Sequence, residues 1–270
     1  METSRGHEVK KTLQDMEVHE GWTSGYRTAE NERFYNLAFD YLAKVYGPPG
    51  KEAVLDAGCG SSTKSIHLAR RGYSVVAVDV SEKILERARQ AVIENGYQSR
   101  VTHEWADLTA MSFKDGNFGR VLCWGVLMHV PDVEKAISEL VRVTRPGGTI
   151  ILSEGNMYSL QAVGLRWLKR LLGRERAQVR RTAAGIEFWE ETSTGNLVTR
   201  QTDMRWLIRT LAAQGVRRVN RRAGQFTEIF TVIPWRPARL FVHLFNNFWF
   251  RWVRLPGPAF GNLLVFKKEE

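Results

Sequence analysis

The sequence predicts an α/β fold, a doubly wound and mostly parallel β-sheet with helices on both faces. Two observations lead to this prediction. Between residues 28 and 154, short apolar segments typical of strands alternate with segments whose apolar residues recur at helical spacing. Glycine or proline stands where the helical patterns stop. A chain of 270 residues has room for one core of this kind and an appended cap.

The core elements follow in order along the chain. A helix is predicted for residues 28–46, which Gly47-Pro48-Pro49-Gly50 terminates. Strands are predicted at residues 53–57, 74–79, 100–105, 118–124 and 149–153. Between them, one helix ends at Gly72, Ser81 caps the next over residues 82–95, and Asp132 caps another. The fourth strand is apolar throughout, which favours a central position in the sheet.

After Glu154 this regular alternation ends. An amphipathic helix is predicted for residues 157–172, and the stretch up to Thr199 shows little periodicity. A helix over 202–214 and a strand from Val216 return to the core pattern. Aromatic residues at helical spacing occupy much of residues 226–260, and the last strand is predicted at 262–267. We therefore divide the chain into a polar N-terminal segment (1–27), the core (28–154), a cap insertion (155–200), a core helix and sixth strand (201–225), a basic aromatic insertion (226–260) and a last strand with its tail (261–270).

Charge is distributed unevenly along the chain. The formal net charge is +10, yet residues 155–260 hold 18 lysines and arginines against 6 aspartates and glutamates. All of these cations except Lys169 are arginines, whose planar guanidinium suits phosphate and carboxylate groups. Two interpretations stay open: an anionic partner of the C-terminal half, or the codon usage of a GC-rich genome.

Several classes of protein are disfavoured by composition. Residues 1–20 are polar and lack the apolar region of a signal peptide, and no apolar run is long enough to span a bilayer. The two cysteines, Cys59 and Cys123, do not make a disulfide framework, so we expect a cytoplasmic protein. No two of the six histidines stand at the spacing of metal ligands, so we expect no structural metal.

The turn after the first strand has the composition of a nucleoside-binding loop. Gly58 and Gly60 let the backbone turn tightly and approach a ligand at the start of a helix. A dinucleotide fingerprint requires a third glycine where Thr63 stands, so a smaller nucleoside is favoured over NAD. Asp79 closes the second strand about 20 residues later, where a carboxylate can accept both ribose hydroxyls. The alternative for Asp79 is an acid at a helix N-terminus beside Ser81.

Four motifs in this order resemble those of class I S-adenosylmethionine (SAM)-dependent methyltransferases. They are residues 54–60 (VLDAGCG), Asp79, Ala106-Asp107-Leu108 and Arg145-Pro146-Gly147-Gly148. Residues 127–132 (LMHVPD) resemble the stretch after the fourth strand in the small-molecule branch, which includes ubiquinone-biosynthesis and sugar methyltransferases. The resemblance covers residues 28–154 and implies a Rossmann-like sheet of seven strands, over which the C-terminal insertions would form a helical cap.

The resemblance also implies SAM as cofactor and a role for each matching position. Asp56, Gly58 and Gly60 would border the methionyl and ribose parts, Asp79 would bind the ribose diol, and Asp107 with Leu108 would hold the adenine. Trp124 and Gly125 would lie beside the sulfonium, and Tyr26 would close over the cofactor. Arg33 either pairs with the cofactor carboxylate or lies on a solvated helix face. Cys59 is interpreted as a small residue in a tight loop.

Methyl transfer is an in-line displacement, so the protein mainly aligns the reactants and excludes water. A hydroxyl acceptor also requires a general base. His129, beyond the fourth strand, is the first candidate, and Glu154, after the fifth, is the second. The alternatives are a capping role for His129, and solvation or pairing with arginines for Glu154.

The acceptor is less determined by the sequence. The segment after the fourth strand, Cys123-Trp124-Gly125-Val126, lacks the signatures of enzymes that methylate nucleic-acid bases, and no RNA-binding module is appended. We expect both C-terminal insertions at the carboxyl edge of the sheet, where they would form a lid. The basic aromatic segments 160–174 and 236–254 form a pocket wall, contact an anionic membrane, or pack as ordinary helices with solvated arginines.

Together these observations predict methyl transfer to oxygen or nitrogen of a small, lipophilic or membrane-associated acceptor. In that case the protein would lie on the inner face of a membrane. A methyltransferase of soluble sugars or polyketides and a non-catalytic SAM-binding subunit are the alternatives. The sequence leaves the oligomeric state open.

Overall fold

The computed structural model describes residues 2–26, 28–173 and 178–270. Its strands are β1 (Val54–Ala57), β2 (Val75–Asp79), β3 (Val101–Trp105), β4 (Phe118–Trp124), β5 (Thr144–Gly155), β6 (Val179–Thr182), β7 (Gly185–Thr192), β8 (Gly195–Thr202), β9 (Val216–Ala223) and β10 (Gly261–Lys268). Its helices are α1 (Glu2–Thr12), α2 (Met16–Tyr26), α3 (Ala29–Tyr46), α4 (Thr63–Arg70), α5 (Glu82–Glu94), α6 (Val133–Val143), α7 (Leu160–Leu171), α8 (Met204–Ala212) and α9 (Arg236–Phe248).

Seven strands form the main sheet in the order β3-β2-β1-β4-β5-β10-β9. Strands β1 to β5 pair in parallel, whereas β10 runs antiparallel to both of its neighbours. The predicted doubly wound, mostly parallel sheet of seven strands is therefore confirmed. The strand order reverses between β1 and β4, and ligands of such sheets bind in the crevice at the carboxyl ends of the strands on either side of that point.

Two hydrophobic cores lie on opposite faces of this sheet. Along β4, Leu122 faces the core built on α3, α4 and α5, while Val121 and Cys123 face the core built on α6 and α8. The strand is apolar throughout because both of its faces are covered. The predicted caps also form: the Ser81 hydroxyl accepts the Ile84 N–H at 3.4 Å, and the Asp132 carboxylate accepts the Lys135 N–H at 3.2 Å.

The cap differs from the helical cap that the sequence predicts, because it also contains a sheet. Among the described residues of the first insertion only those of α7 are helical, and β6, β7 and β8 form a separate antiparallel sheet where the sequence shows little periodicity. The predicted boundary at residue 200 falls inside β8. Strand β7 shows no clean alternation, because its neighbouring residues Ile186 and Glu187 are both buried. Residue 174, at the end of the predicted basic segment 160–174, lies outside the described residues.

The N-terminal segment, predicted only as polar, forms α1 and α2. These helices cross the carboxyl edge of the sheet: the Gln14 side chain donates to the carbonyl of Val80 at 2.8 Å, directly after β2. Helix α1 also reaches the small sheet, where the Asn196 amide donates to the Glu8 carboxylate at 2.7 Å. The N-terminal helices therefore bridge the core and the cap.

The second insertion connects β9 to β10, and the sequence predicts it at or near the carboxyl edge of the sheet. Helix α9 instead packs beside α3, where Phe250 of the following π-helical turn (Trp249–Val253) contacts Phe34 with ring centroids 5.3 Å apart. Only the ends of the insertion, around Glu228 and Phe260, reach that edge. Within the described ranges, none of the helices combines the length and the apolar character needed to cross a membrane.

Candidate functional site

One large cavity of about 1140 Å³ opens at the carboxyl edge of the main sheet. Its walls come from the carboxyl ends of β1, β2, β4 and β5, from α1 and α2, and from the small sheet of the cap. The positions predicted as site residues line it: Tyr26, Asp56, Gly58, Gly60, Asp79, Asp107, Leu108, Trp124, Gly125, His129 and Glu154. The strand ends of the parallel sheet thus bring together side chains that are far apart in sequence.

The loop after β1 is shaped by glycine. The N–H groups of Gly58 and Cys59 both donate to the Val78 carbonyl at 2.8 Å, which turns the chain sharply away from β1. Gly58 has a φ of +80°, and a Cβ at this position would stand 2.5 Å from both Cγ atoms of Val126. Only glycine fits here without displacing the segment that follows β4. Cys59 is buried, which raises the pKa of its thiol, as expected of a small residue in a tight loop.

Asp79 ends β2 with its carboxylate across this loop. One oxygen accepts the Gly60 N–H at 2.9 Å, and the other accepts the Ser81 N–H at 3.1 Å. Burial raises the pKa of Asp79, and these backbone N–H groups oppose that shift. Each carboxylate oxygen has a further lone pair, so the side chain can serve the loop and still accept a hydrogen bond from a ligand.

Asp56 lies deeper than a residue that only borders the cavity. Its carboxylate accepts the Ser65 hydroxyl of α4 at 2.6 Å and is almost wholly shielded from solvent. Burial raises the pKa of Asp56 to about 6. The observed contact of Asp56 is therefore with α4, at the base of the cavity.

Asp107, directly after β3, is tied to the N-terminal helix. One of its oxygens accepts both the N–H and the hydroxyl of Thr109, at 2.9 and 2.8 Å, and the other pairs with the Lys10 ammonium of α1. Burial opposes ionisation, but the hydrogen bonds from Lys10 and Thr109 hold the pKa of Asp107 below its usual range. Leu108 is buried beside it and supplies an apolar surface.

Two aromatic residues occupy the other side of the loop. The Trp124 ring stacks on Phe39 with centroids 5.5 Å apart and lines the cavity where β4 ends. The Tyr26 hydroxyl of α2 donates to the Glu228 carboxylate at 2.7 Å. The negative charge of Glu228, followed by burial, raises the pKa of Tyr26, and burial raises that of Glu228. Arg33 is exposed and does not line the cavity, in agreement with the solvated helix face.

His129 is held from two sides in the short helical turn after β4. Its Nδ1 lies 2.8 Å from the Val198 carbonyl of β8, and its ring stacks on Trp22 of α2 at 4.6 Å. A carbonyl only accepts, so Nδ1 carries the proton and Nε2 presents a lone pair. Burial lowers the pKa of His129 to about 4, so the ring is neutral near pH 7.

Glu154, at the end of β5, is almost wholly buried in the cavity wall. Its Oε1 accepts the Leu127 N–H at 3.2 Å, and its Oε2 has no protein partner among the described residues. Burial raises the pKa of Glu154 to about 8. Near pH 7 the group is therefore largely protonated and can donate a hydrogen bond. The predicted alternative of a solvated Glu154 is wrong, because only 2% of the residue is exposed.

Among the cavity residues on the insertions that sequence reasoning missed, three carry buried or partly buried ionisable side chains: Glu187 and Arg200 of the cap and Glu228 before α9. Each lies in a segment without clear periodicity, and each has its partner far away in sequence. A buried glutamate or arginine leaves no local signal beyond its presence in an otherwise apolar strand.

Four features together fit an adenosyl cofactor: a carboxylate at the end of β2, another after β3, a glycine loop that a Cβ would obstruct, and an aromatic ring where β4 ends. The carboxylates suit the hydroxyl and amine donors of the nucleoside. The geometry therefore supports two adjoining sites in one cavity: a site for a nucleoside, and an acceptor site that contains a candidate general base, His129.

Comparison with known proteins agrees with this geometry. The model of the methyltransferase domain family matches residues 55–152. The ubiquinone biosynthesis O-methyltransferase of Aromatoleum aromaticum is 31% identical over 161 residues, which cover 58% of this chain and 68% of that protein. The enzyme with the same description from Hahella chejuensis is 32% identical over 175 residues, covering 62% and 70%. Magnesium protoporphyrin IX methyltransferase from Synechocystis PCC 6803 with bound SAH has the same fold, with a TM-score of 0.63, 18% identity and coverage of 96% and 98%.

Proposed function

The chain belongs to the family of SAM-dependent methyltransferases, and on that premise we propose that it methylates a hydroxyl oxygen of a small, lipophilic acceptor. One observation carries this proposal. The neutral His129 imidazole, with Nε2 free to accept a proton, lines the same cavity as the nucleoside-binding residues. The relatives from Aromatoleum and Hahella, which are described as O-methyltransferases, support oxygen over nitrogen.

When bound, SAM supplies a methyl group already activated on a sulfonium. We assign Asp79 to the ribose hydroxyls and Asp107 with Leu108 to the adenine. Gly58 and Gly60 would let the cofactor approach the backbone, Asp56 would support the loop from below, and Trp124 would exclude water beside the sulfonium. Tyr26 would cover the cofactor from α2.

His129 would take the hydroxyl proton on Nε2 while the acceptor oxygen forms its bond to the methyl carbon; the bond from that carbon to the sulfonium would break in the same step, and a neutral thioether would leave. Glu154, which is largely protonated near pH 7, donates a hydrogen bond that orients the acceptor. A base with a pKa of about 4 is poorly matched to an aliphatic alcohol but better matched to a phenol, whose hydroxyl is far more acidic. This favours a phenolic acceptor over the hydroxyl of a sugar.

The reaction is tested by incubating the purified protein with SAM and either a lipid extract or a polar extract, with detection of a mass increase of one methyl group. We expect methylated products from the lipid extract, and His129→Gln as the control should form far less of them. Products from the polar extract alone would refute a lipophilic acceptor. SAM binding without turnover in either extract would favour the non-catalytic subunit.

The surface of α7 supports association with an anionic membrane as a second part of the proposal. Ala162 is the only residue of α7 that is buried, and the Trp167 side chain on the same helix is 64% exposed. Monomeric soluble proteins seldom expose a contiguous patch of this kind without a partner. Lys169 and Arg170 lie in the last turn, where they can reach anionic headgroups.

A second apolar surface, on α9 and its flanking residues, lies close to α7. Its exposed side chains are Trp235, Phe241, Leu244, Phe248, Trp252 and Leu255, and its basic residues are Arg236, Arg239, Arg251 and Arg254. Gln161 of α7 accepts from Thr227, and Thr227 in turn donates its N–H to Asn246 of α9 at 3.1 Å. Both helices therefore adjoin the segment whose next residue, Glu228, lines the cavity. A bilayer at this surface would present a lipophilic acceptor beside the site.

Vesicle sedimentation distinguishes between two occupants of this surface, a membrane and a second copy of the chain. We expect binding to vesicles with anionic phospholipid at low salt, and weaker binding at high salt or to zwitterionic vesicles. Trp167→Ser and Phe241→Ser should each reduce binding, whereas Ile93→Ser, at a similarly exposed position on α5, should not. Absence of binding at low salt, together with a dimer in analytical ultracentrifugation, would refute the membrane proposal.

A further inference from the structure

Strand β8 of the cap contacts the turn that carries His129 at two positions. The Val198 carbonyl accepts the His129 Nδ1–H, and Arg200, two residues later, reaches the backbone of the same turn. Its Nη1 donates to the carbonyls of Leu127 and Val130 at 2.8 and 3.0 Å, and its Nη2 donates to that of Pro131 at 3.3 Å. One side chain of the cap thus binds three carbonyls around His129.

The remaining donors of Arg200 bind Glu187 on the neighbouring strand β7. Nε and Nη2 donate to the Glu187 Oε1 at 3.2 and 2.8 Å, and the other Glu187 oxygen accepts the Trp189 indole N–H at 3.0 Å. An arginine has five N–H donors, and these five bonds use all of them. Arg200 is only 1% exposed and Glu187 only 5%.

Burying the ion pair of Arg200 and Glu187 costs desolvation free energy, so the pair by itself adds little to the free energy of unfolding. Replacing a buried ion pair by apolar side chains of similar volume is often neutral or stabilising. A lysine, with a compact ammonium, cannot bind three carbonyls and a carboxylate at once. The arrangement is therefore better explained by what it orients than by the energy it contributes.

We propose that Arg200 is a positioning residue for methyl transfer: it fixes the 127–131 turn against β8, so that His129 keeps its proton on Nδ1 and offers Nε2 to the acceptor. This inference rests on the proposed function in one respect, namely that His129 is the base. Its structural half, the control of the His129 tautomer by Arg200, is independent of any acceptor.

The charge of Arg200 adds an electrostatic effect to the geometric one. The charged or titratable groups that line the cavity on the elements around His129 include His19 on α2, Arg200 on β8, Glu187 on β7, Glu154 on β5, and Asp132, Glu134 and Lys135 at the start of α6. Burial is the largest cause that lowers the pKa of His129, and the positive charge of Arg200 lowers it further. Removing that charge should therefore raise the pKa of His129.

Two substitutions separate the geometric from the electrostatic effect. Arg200→Lys keeps the positive charge but loses most of the five bonds, so the turn should loosen while the charge still acts on His129. Arg200→Met loses both. We expect kcat to fall about 10–100-fold in each variant, with little change in the KM for SAM, because a misplaced base costs rate rather than cofactor binding. Glu187→Gln is the matched control, because it weakens the same ion pair but leaves the contacts to the turn.

The decisive measurement is the NMR signature of the His129 ring nitrogens as a function of pH, recorded on the whole chain without acceptor. We expect one Nδ1-protonated tautomer in the wild type and in Glu187→Gln, and a mixture in Arg200→Lys. In Arg200→Met the His129 pKa should rise. Where Arg200→Met does not fold, the tautomer in Arg200→Lys decides.

Arg200→Lys with an unchanged tautomer and an unchanged kcat would overturn the proposal. So would a loss of the same size in Glu187→Gln, because that result would indicate a purely structural ion pair. If the tautomer changes as expected while His129→Gln remains fully active, Arg200 still positions the ring, and only the role of His129 as base is refuted.

Discussion

Gly58→Ala tests the close contact between the glycine loop after β1 and Val126. The substitution adds a Cβ at a φ of +80°, and this Cβ would stand 2.5 Å from Val126 Cγ1 and Cγ2 and 3.0 Å from Val126 Cβ. The left-handed backbone conformation costs an L-residue roughly 1–2 kcal/mol. Overpacking against Val126 costs about 1–3 kcal/mol more. We therefore expect the free energy of unfolding to fall by roughly 2–5 kcal/mol.

A second substitution divides this loss into its two causes. Val126→Ala removes both Cγ atoms but leaves the Cβ and the backbone conformation unchanged. In the Gly58→Ala background it should therefore recover part of the overpacking cost and none of the roughly 1–2 kcal/mol of backbone cost. The assay is chemical denaturation of the wild type, both single variants and the double variant, with calorimetric titration of SAM on each. Wild-type stability in Gly58→Ala, or strictly additive losses in the double variant, would refute the close contact between the loop and the segment after β4.

Four further predictions concern the ionisable groups of the cavity. If His129 is the base, kcat should fall on the acid side as the pH drops through about 4, and it should also fall as the pH rises through about 8, where Glu154 loses the proton that it donates to the acceptor. Glu154 as the base would instead lose activity below pH about 8, so a pH–rate profile decides between them. Since the folded-state pKa of Glu154 is raised to about 8, its protonation stabilises the fold fully below its unfolded pKa of about 4.3, and this contribution is lost as the pH rises through 8. Glu154→Gln should flatten the dependence of Tm on pH in that window, and an unaltered profile would contradict the burial. Tyr26→Phe removes the hydrogen bond to the Glu228 carboxylate and should lower the free energy of unfolding by about 1–3 kcal/mol in chemical denaturation. Unchanged stability would indicate that this pair is exposed to water in solution. Asp79→Ala should weaken SAM binding by about 1–3 kcal/mol in calorimetry, and an unchanged affinity would exclude the assigned contact with the ribose.

The core of the fold could be predicted because its signals are local. The caps at Ser81 and Asp132, the glycine loop after β1 and the apolar run of β4 each act within a few residues. Parallel strands share one carboxyl edge, so motifs placed at the ends of successive strands necessarily meet there. This is why the predicted site residues line one cavity, although no two of the motifs are adjacent in sequence.

The cap could not be predicted in the same way, because its pattern depends on partners elsewhere. Strand β7 buries Glu187 on one face and Ile186 on the other, so the alternation that identifies a strand is absent. Glu187 is buried only because Arg200 pairs with it, thirteen positions later. Likewise, α1 and α2 have few apolar residues to indicate packing, and their position depends on polar contacts such as that of Gln14 with Val80.

The sequence by itself determined that this chain folds around a doubly wound sheet with a tight glycine loop at Gly58 and Gly60, because glycines, caps and strand patterns act over short distances. Only the tertiary structure decided how His129 and the groups that hold it are arranged. The tautomer of His129 depends on a carbonyl of β8, and the turn that carries it depends on Arg200. These contacts join residues about seventy positions apart, and burial selects such partners only when the whole chain is folded.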